Sequence, residues 1–112
     1  MQLLILILKK VDLMDKLLKK LAECGVKGGT ILNGTGMANA LVNMEDLPMF
    51  GILRSILEDE DKEEIKVLMF VLKDEQVMVT RNTIKSIIGD LSTPNTGIMF
   101  SIPITYVEGL GE

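Results

Sequence analysis

The chain has 112 residues, with 16 acidic and 12 basic side chains, a net charge of −4 and an apolar fraction of 47%. Length and apolar content fit one compact domain spanning residues 1–112 and exclude disorder as the main state. With no run of Lys or Arg and only 4% aromatic residues, the chain lacks both the cationic footprint and the stacking surface of a nucleic-acid binder.

The first element in chain order is an apolar run, Leu3 to Leu8. It is too short to span a bilayer, which needs about 20 residues, and it ends in Lys9-Lys10 rather than a small-residue cleavage site. A strand covered on both faces is predicted, with no stable membrane insertion. Asp12 is then placed to cap a helix whose apolar stripe is Val11, Met14, Leu17, Leu18, Leu21 and Ala22, and Gly25 is placed to end it in a left-handed conformation. Val26 to Leu32 reads as a second strand. From Asn33 to Leu47 there is little periodicity, and the stretch opens with Gly34-Thr35-Gly36, so it reads as loop. Pro48 is suited to the first position of a short helix carrying Met49, Ile52, Leu53, Ile56 and Leu57 on one side. Glu58 to Glu64 holds six acids and one lysine and reads as a solvated connection.

Lys66 to Leu72 reads as a second central strand, apolar without interruption from Val67 to Leu72. Asp74 is placed to cap a helix buried through Val77, Thr80, Ile84, Ile87 and Ile88, with Gly89 as its C-terminal stop. A Gly-, Ser- and Pro-containing loop, Asp90 to Thr96, leads to a last strand, Ile98 to Ile104, where Pro103 favours an edge position. The tail from Glu108 reads as loose. This order predicts an α+β fold, a ferredoxin-like βαββαβ sandwich: a four-stranded antiparallel sheet with two helices on one face, and a loop and short helix inserted at about 34–64. Two helices cover one sheet face only, yet the strands are apolar on both. Leaving the second face bare exposes more apolar surface than soluble monomers tolerate, so a homo-oligomer, a homotrimer, is expected.

Several chemistries are excluded by composition. The chain has no His and one Cys, Cys24, so zinc and copper sites of the usual ligand sets and His-dependent nucleophilic triads cannot form within it. A single thiol fits a reducing, cytoplasmic setting, and Cys24 reads as a packed small residue. Glu45-Asp46, adjacent in a loop, read as solvated charge.

Three segments resemble one family, the PII-like signalling proteins, a trimeric ferredoxin-like group that includes the nitrogen-regulatory PII proteins. Ala22-Glu23-Cys24-Gly25-Val26-Lys27-Gly28 is similar to the family's passage from first helix to second strand. Thr30 to Met37 sits where the family begins its long T-loop with a G-x-G. Gly89-Asp90, then Gly97-Ile98-Met99-Phe100 and Pro103, resembles its B-loop and last strand. The resemblance implies no enzymatic activity, and no catalytic or metal-binding residues. It implies an adenine nucleotide as small-molecule effector, bound between subunits by Gly34, Thr35, Gly36 and Met37 on one side and Gly89, Asp90 and Gly97 on the other. Glycine-rich turns suit this role because successive N–H groups can be aimed at an anion without side-chain hindrance. It also implies a regulated protein target contacted through the loop 37–47.

The sequence departs from the family in places that bear on phosphate binding. Ile98 follows the last B-loop glycine where the family has a basic residue, and Glu108-Gly109-Leu110-Gly111 stands where it has two arginines. Leu91 to Thr96 lengthen the B-loop, and the T-loop stretch has no tyrosine for uridylylation; Tyr106 lies elsewhere. Each lost charge-assisted contact costs about 1.5–3 kcal/mol, which weighs against a triphosphate held in the usual way. Arg54, Arg81 and Lys85 are the candidate substitutes. Two alternatives share the fold: a CutA-like divalent-cation-tolerance trimer, against which the absence of His counts, and an ACT-like amino-acid-binding module, normally attached to an enzyme. An acylphosphatase needs an Arg-bearing loop after the first strand, and Lys9-Lys10-Val11-Asp12 does not supply one.

Overall fold

A computed structural model describes residues 1–42 and 64–111. Its elements are β1 (Gln2–Leu8), a 3₁₀ turn (Val11–Leu13), α1 (Met14–Glu23), β2 (Thr30–Gly34), α2 (Met37–Val42), β3 (Ile65–Leu72), α3 (Asp74–Ile88) and β4 (Gly97–Pro103). The four strands form one antiparallel sheet in the order β2-β3-β1-β4. The two uninterrupted apolar strands, β1 and β3, are therefore central, and β4 is an edge strand as Pro103 suggested.

Register separates the two faces. Opposed residues of an antiparallel pair share a face, and Leu4, Leu6 and Leu8 pair with Phe70, Leu68 and Lys66. Leu4, Leu6, Leu8, Leu68, Phe70 and Leu72 are buried beneath α1 and α3, which contribute Leu17, Leu21, Val77, Ile84 and Ile88 to the same core. Within α3 the buried hydroxyls of Thr80 and Thr83 donate to the carbonyls of Gln76 and Val79, each at 2.7 Å. They are satisfied one turn back, which lets two polar residues occupy a buried helix face.

The other face holds Leu3, Ile5 and Ile7 of β1, opposite Val71, Met69 and Val67 of β3 and opposite Ile102, Phe100 and Ile98 of β4. Leu32 of β2 extends it beside Val67. Ile98, Phe100, Ile102 and Leu32 are each 44–53% exposed. This face is apolar apart from Thr30, opposite Met69 on the β2 edge, and nothing among the described residues lies across it as a helix or strand layer.

Several boundaries differ from expectation for local reasons. Asp12 does not cap α1: it lies inside the 3₁₀ turn, and α1 starts at Met14 with no side-chain cap. Asp74 is the first residue of α3 rather than its cap, and Gln76 Oε1 accepts the Lys73 N–H at 3.2 Å. Gly25 does end α1, at φ +90°. Its N–H donates to Ala22 O (3.1 Å) and the Val26 N–H donates to Leu21 O (2.9 Å), the paired bonds of a Schellman cap. Val26 is consumed by that cap, so β2 starts at Thr30 and not at Val26. The expected loop after Asn33 also needs correction, because Met37–Val42 is helical. Ala38, Ala40 and Leu41 are good helix formers, and the Ala40 N–H closes the first turn on Gly36 O at 2.9 Å. Cys24 is exposed, not packed. The expected helix at Pro48, the Glu45-Asp46 pair, Arg54 and the acidic run up to Glu63 lie outside the described residues.

Candidate functional site

Gly34 is the last residue of β2, Thr35 and Gly36 form the turn beyond it, and Met37 opens α2 with its side chain 78% exposed. Gly89 terminates α3 at φ +91°, Asp90 follows it exposed, and Gly97 opens β4. Register places the end of β2 and Gly97 at one end of the sheet: Asn33 pairs with Lys66, Lys66 with Leu8, and Leu8 with Gly97. They stand on opposite edge strands, however. Three strand spacings of roughly 4.8 Å put the β2 and β4 ends about 14 Å apart within one chain. Gly89 and Asp90 are brought together; the Gly34–Met37 group is not brought to them.

Three of these glycines have structural work independent of any ligand. A Cβ on Gly97 would stand 2.7 Å from the Ile7 carbonyl oxygen, so glycine is what lets β4 close on β1. Gly89 adopts a positive φ that other residues resist. A Cβ on Gly36 would meet Ile65 Cδ1 at 3.3 Å, a milder restriction at a flexible side-chain end. Gly34 would make only ordinary contacts at 3.4 Å.

Asp90 organises the loop that follows α3. Its Oδ1 accepts the Ser92 backbone N–H at 2.9 Å and the Ser92 hydroxyl at 2.8 Å. The backbone bond chiefly, then the hydroxyl bond, holds the Asp90 carboxyl below the ordinary aspartate value; slight desolvation opposes this and the Lys85 charge adds to it. The carboxylate is thus committed to its own loop. The loop is tied to the sheet where Thr96 O accepts the Lys9 and Lys10 N–H groups at 3.1 and 3.3 Å.

Basic residues that the glycine motifs did not reveal collect around this end. Lys9 and Lys10 follow β1, and Lys66 on β3 donates to Asn33 Oδ1 and lies 3.7 Å from Glu64. Their sequence signal was a Lys pair directly after an apolar strand. Arg81 and Lys85 line a groove of about 860 Å³ between α3 and β4, together with Gly89, Asp90, Leu91 and Met99. Among the described residues no group of three or more His, Cys, Asp or Glu is positioned to hold a metal ion. No described helix is long and apolar enough to cross a membrane.

The chain matches no protein-family model and no curated protein.

Proposed function

We propose that the chain is a PII-like regulatory protein: a cytoplasmic homotrimer of ferredoxin-like βαββαβ subunits that binds an adenine nucleotide at its subunit clefts and signals through the segment 37–47. Support for the fold assignment comes from the strand order β2-β3-β1-β4, with α1 following β1, α3 following β3, and both helices packed on one face. The short α2 is an addition within the inserted region.

The observation that carries the functional reading is the position of the two glycine segments, at the same sheet end but on opposite edges. Three sheets arranged about a threefold axis with their open apolar faces inward bring the β2 edge of one subunit against the β4 edge of the next. That heterologous contact closes into a ring. It also places Gly34–Met37 of one chain beside Gly89, Asp90 and Gly97 of its neighbour, across a gap that a single chain cannot bridge. Met37 and α2 lie at the lip of the cleft, so ligand occupancy bears directly on the segment that would contact a target.

Isothermal titration calorimetry and thermal shift with ATP, ADP, AMP and cyclic AMP test the reading, alongside the mass in solution. Saturable binding by a trimer supports it, with ATP the weakest relative to the family's habit because the basic partners at 98 and 108–111 are missing. Absence of binding by all four nucleotides removes the nucleotide sensor.

A further inference from the structure

The α3–β4 groove shares Gly89 and Asp90 with the subunit-cleft reading, and its Arg81 and Lys85 are the candidate phosphate partners named above, but its floor of Leu4, Leu91, Met99 and Ser101 lies outside that reading. Its helical wall carries Arg81 and Lys85, four residues apart, so their Cβ atoms lie on one face about 6 Å from each other. Among the described residues neither makes an ion pair or a side-chain hydrogen bond. The nearest carboxylate, Asp90, is turned onto Ser92 and lends Lys85 only its field. Leu4, Leu91 and Met99 supply an apolar lining and Ser101 a hydroxyl opposite the cations. A chain of net charge −4 here concentrates two uncommitted positive charges over apolar surface. Two donors of this kind on adjacent helical turns suit a single oxyanion, which guanidinium can hold through two parallel bonds.

We infer that the α3–β4 groove binds a small organic anion, an oxyanion head (phosphate or carboxylate) on a flat apolar body, within a single chain. The head lies between Arg81 and Lys85 and the body over Leu4, Leu91 and Met99. The site goes beyond the nucleotide reading, since it needs neither the trimer nor the Gly34–Met37 segment. Its volume, about 860 Å³, falls in the range of small-molecule sites.

Amide-resolved NMR titration of the full chain tests this with phenyl phosphate and benzoate as probes, and with inorganic phosphate and phenol as half-ligands. The two anionic aromatics are expected to shift the amides of residues 85–91 and 99–101 saturably, each at least tenfold tighter than its better half-ligand. Which of the two binds more tightly identifies the head group. Arg81→Gln/Lys85→Gln is expected to weaken binding by tenfold or more, while Lys16→Gln/Lys20→Gln on α1 leaves it unchanged. Should the double variant lose its circular dichroism, Lys85→Gln alone, at an exposed position, is expected to weaken binding at least threefold. Non-saturating shifts, half-ligands that bind equally well, or a cation variant that binds like the parent would overturn the site. Residues 89 and 90 line both sites and do not tell them apart; shifts at 34–37 and 97 without any at 99–101 would overturn the groove while leaving the nucleotide cleft standing, so the two proposals fail separately.

Discussion

Phe100→Ser discriminates most sharply between a bare sheet face and a buried one. Phe100 sits opposite Ile5, midway along the edge strand β4 on the open apolar face, and is 44% exposed in the single chain. A Phe offers about 200 Å² of surface, so about 90 Å² is left for a neighbouring subunit to cover. At about 25 cal/mol per Å², that cover contributes about 2 kcal/mol per subunit. Over a trimer the loss is about 7 kcal/mol, or roughly five orders of magnitude in the assembly constant. Within an isolated chain the same substitution gives up the roughly 110 Å² that the chain itself covers, about 3 kcal/mol of fold stability, and leaves the mass in solution unchanged. Light scattering on a sizing column at micromolar concentration should give three chain masses for the parent and one for the variant. A parent of one chain mass, equal to that of the variant, would refute the buried face and the subunit clefts that depend on it.

The other predictions concern the glycine-rich loops. Gly97→Ala pushes a Cβ against the Ile7 carbonyl oxygen at 2.7 Å and should cost about 1–3 kcal/mol in urea unfolding; Gly36→Ala, facing a flexible Ile65 terminus, should cost less, and equal midpoints for the two would contradict the clash. Asp90 has its folded carboxyl held below 3.8, so its contribution to stability is complete above that unfolded value and is lost as pH falls through the lower folded one. Carbon-detected titration should place Asp90 below 3.8 in the parent and nearer to it in Ser92→Ala, and a parent value at or above 3.8 counts against the Ser92 bonds.

The strands were the most legible part of the fold, because Leu3 to Leu8 and Val67 to Leu72 are apolar at successive positions. That pattern reflects two faces needing cover, and both strands are central. The stop at Gly25 was equally plain. The start of β2 was not, since Val26 reads as a strand residue by composition and is diverted by the hydrogen bonds of the helix cap. Nor was α2, which is too short for periodicity and follows a G-x-G that suggests a turn. Caps misled in a related way: an Asp near a helix start is a signal of position, accurate to a residue or two, and at Asp12 and Asp74 the backbone turned elsewhere. As for the candidate site, the glycines could be read but their separation could not. Whether Gly34 and Gly97 meet is decided by strand order, and strand order depends on pairings between distant parts of the chain. Arg81 and Lys85 could be named from the sequence as candidate phosphate partners, but not the groove that β4 makes beside them.

The central position of β1 has a consequence for how the chain is made. Leu8 pairs with Lys66 on one side and Gly97 on the other, and both partners follow it far along the chain. A ribosome therefore releases the run Leu3 to Leu8 long before anything exists for it to pair with. Topologies dominated by such distant pairings fold slowly, and a waiting apolar strand is open to the wrong neighbour. During synthesis this segment is the one a chaperone would hold. Of the four strands β4 emerges last, and only with it are the sheet and its open apolar face complete.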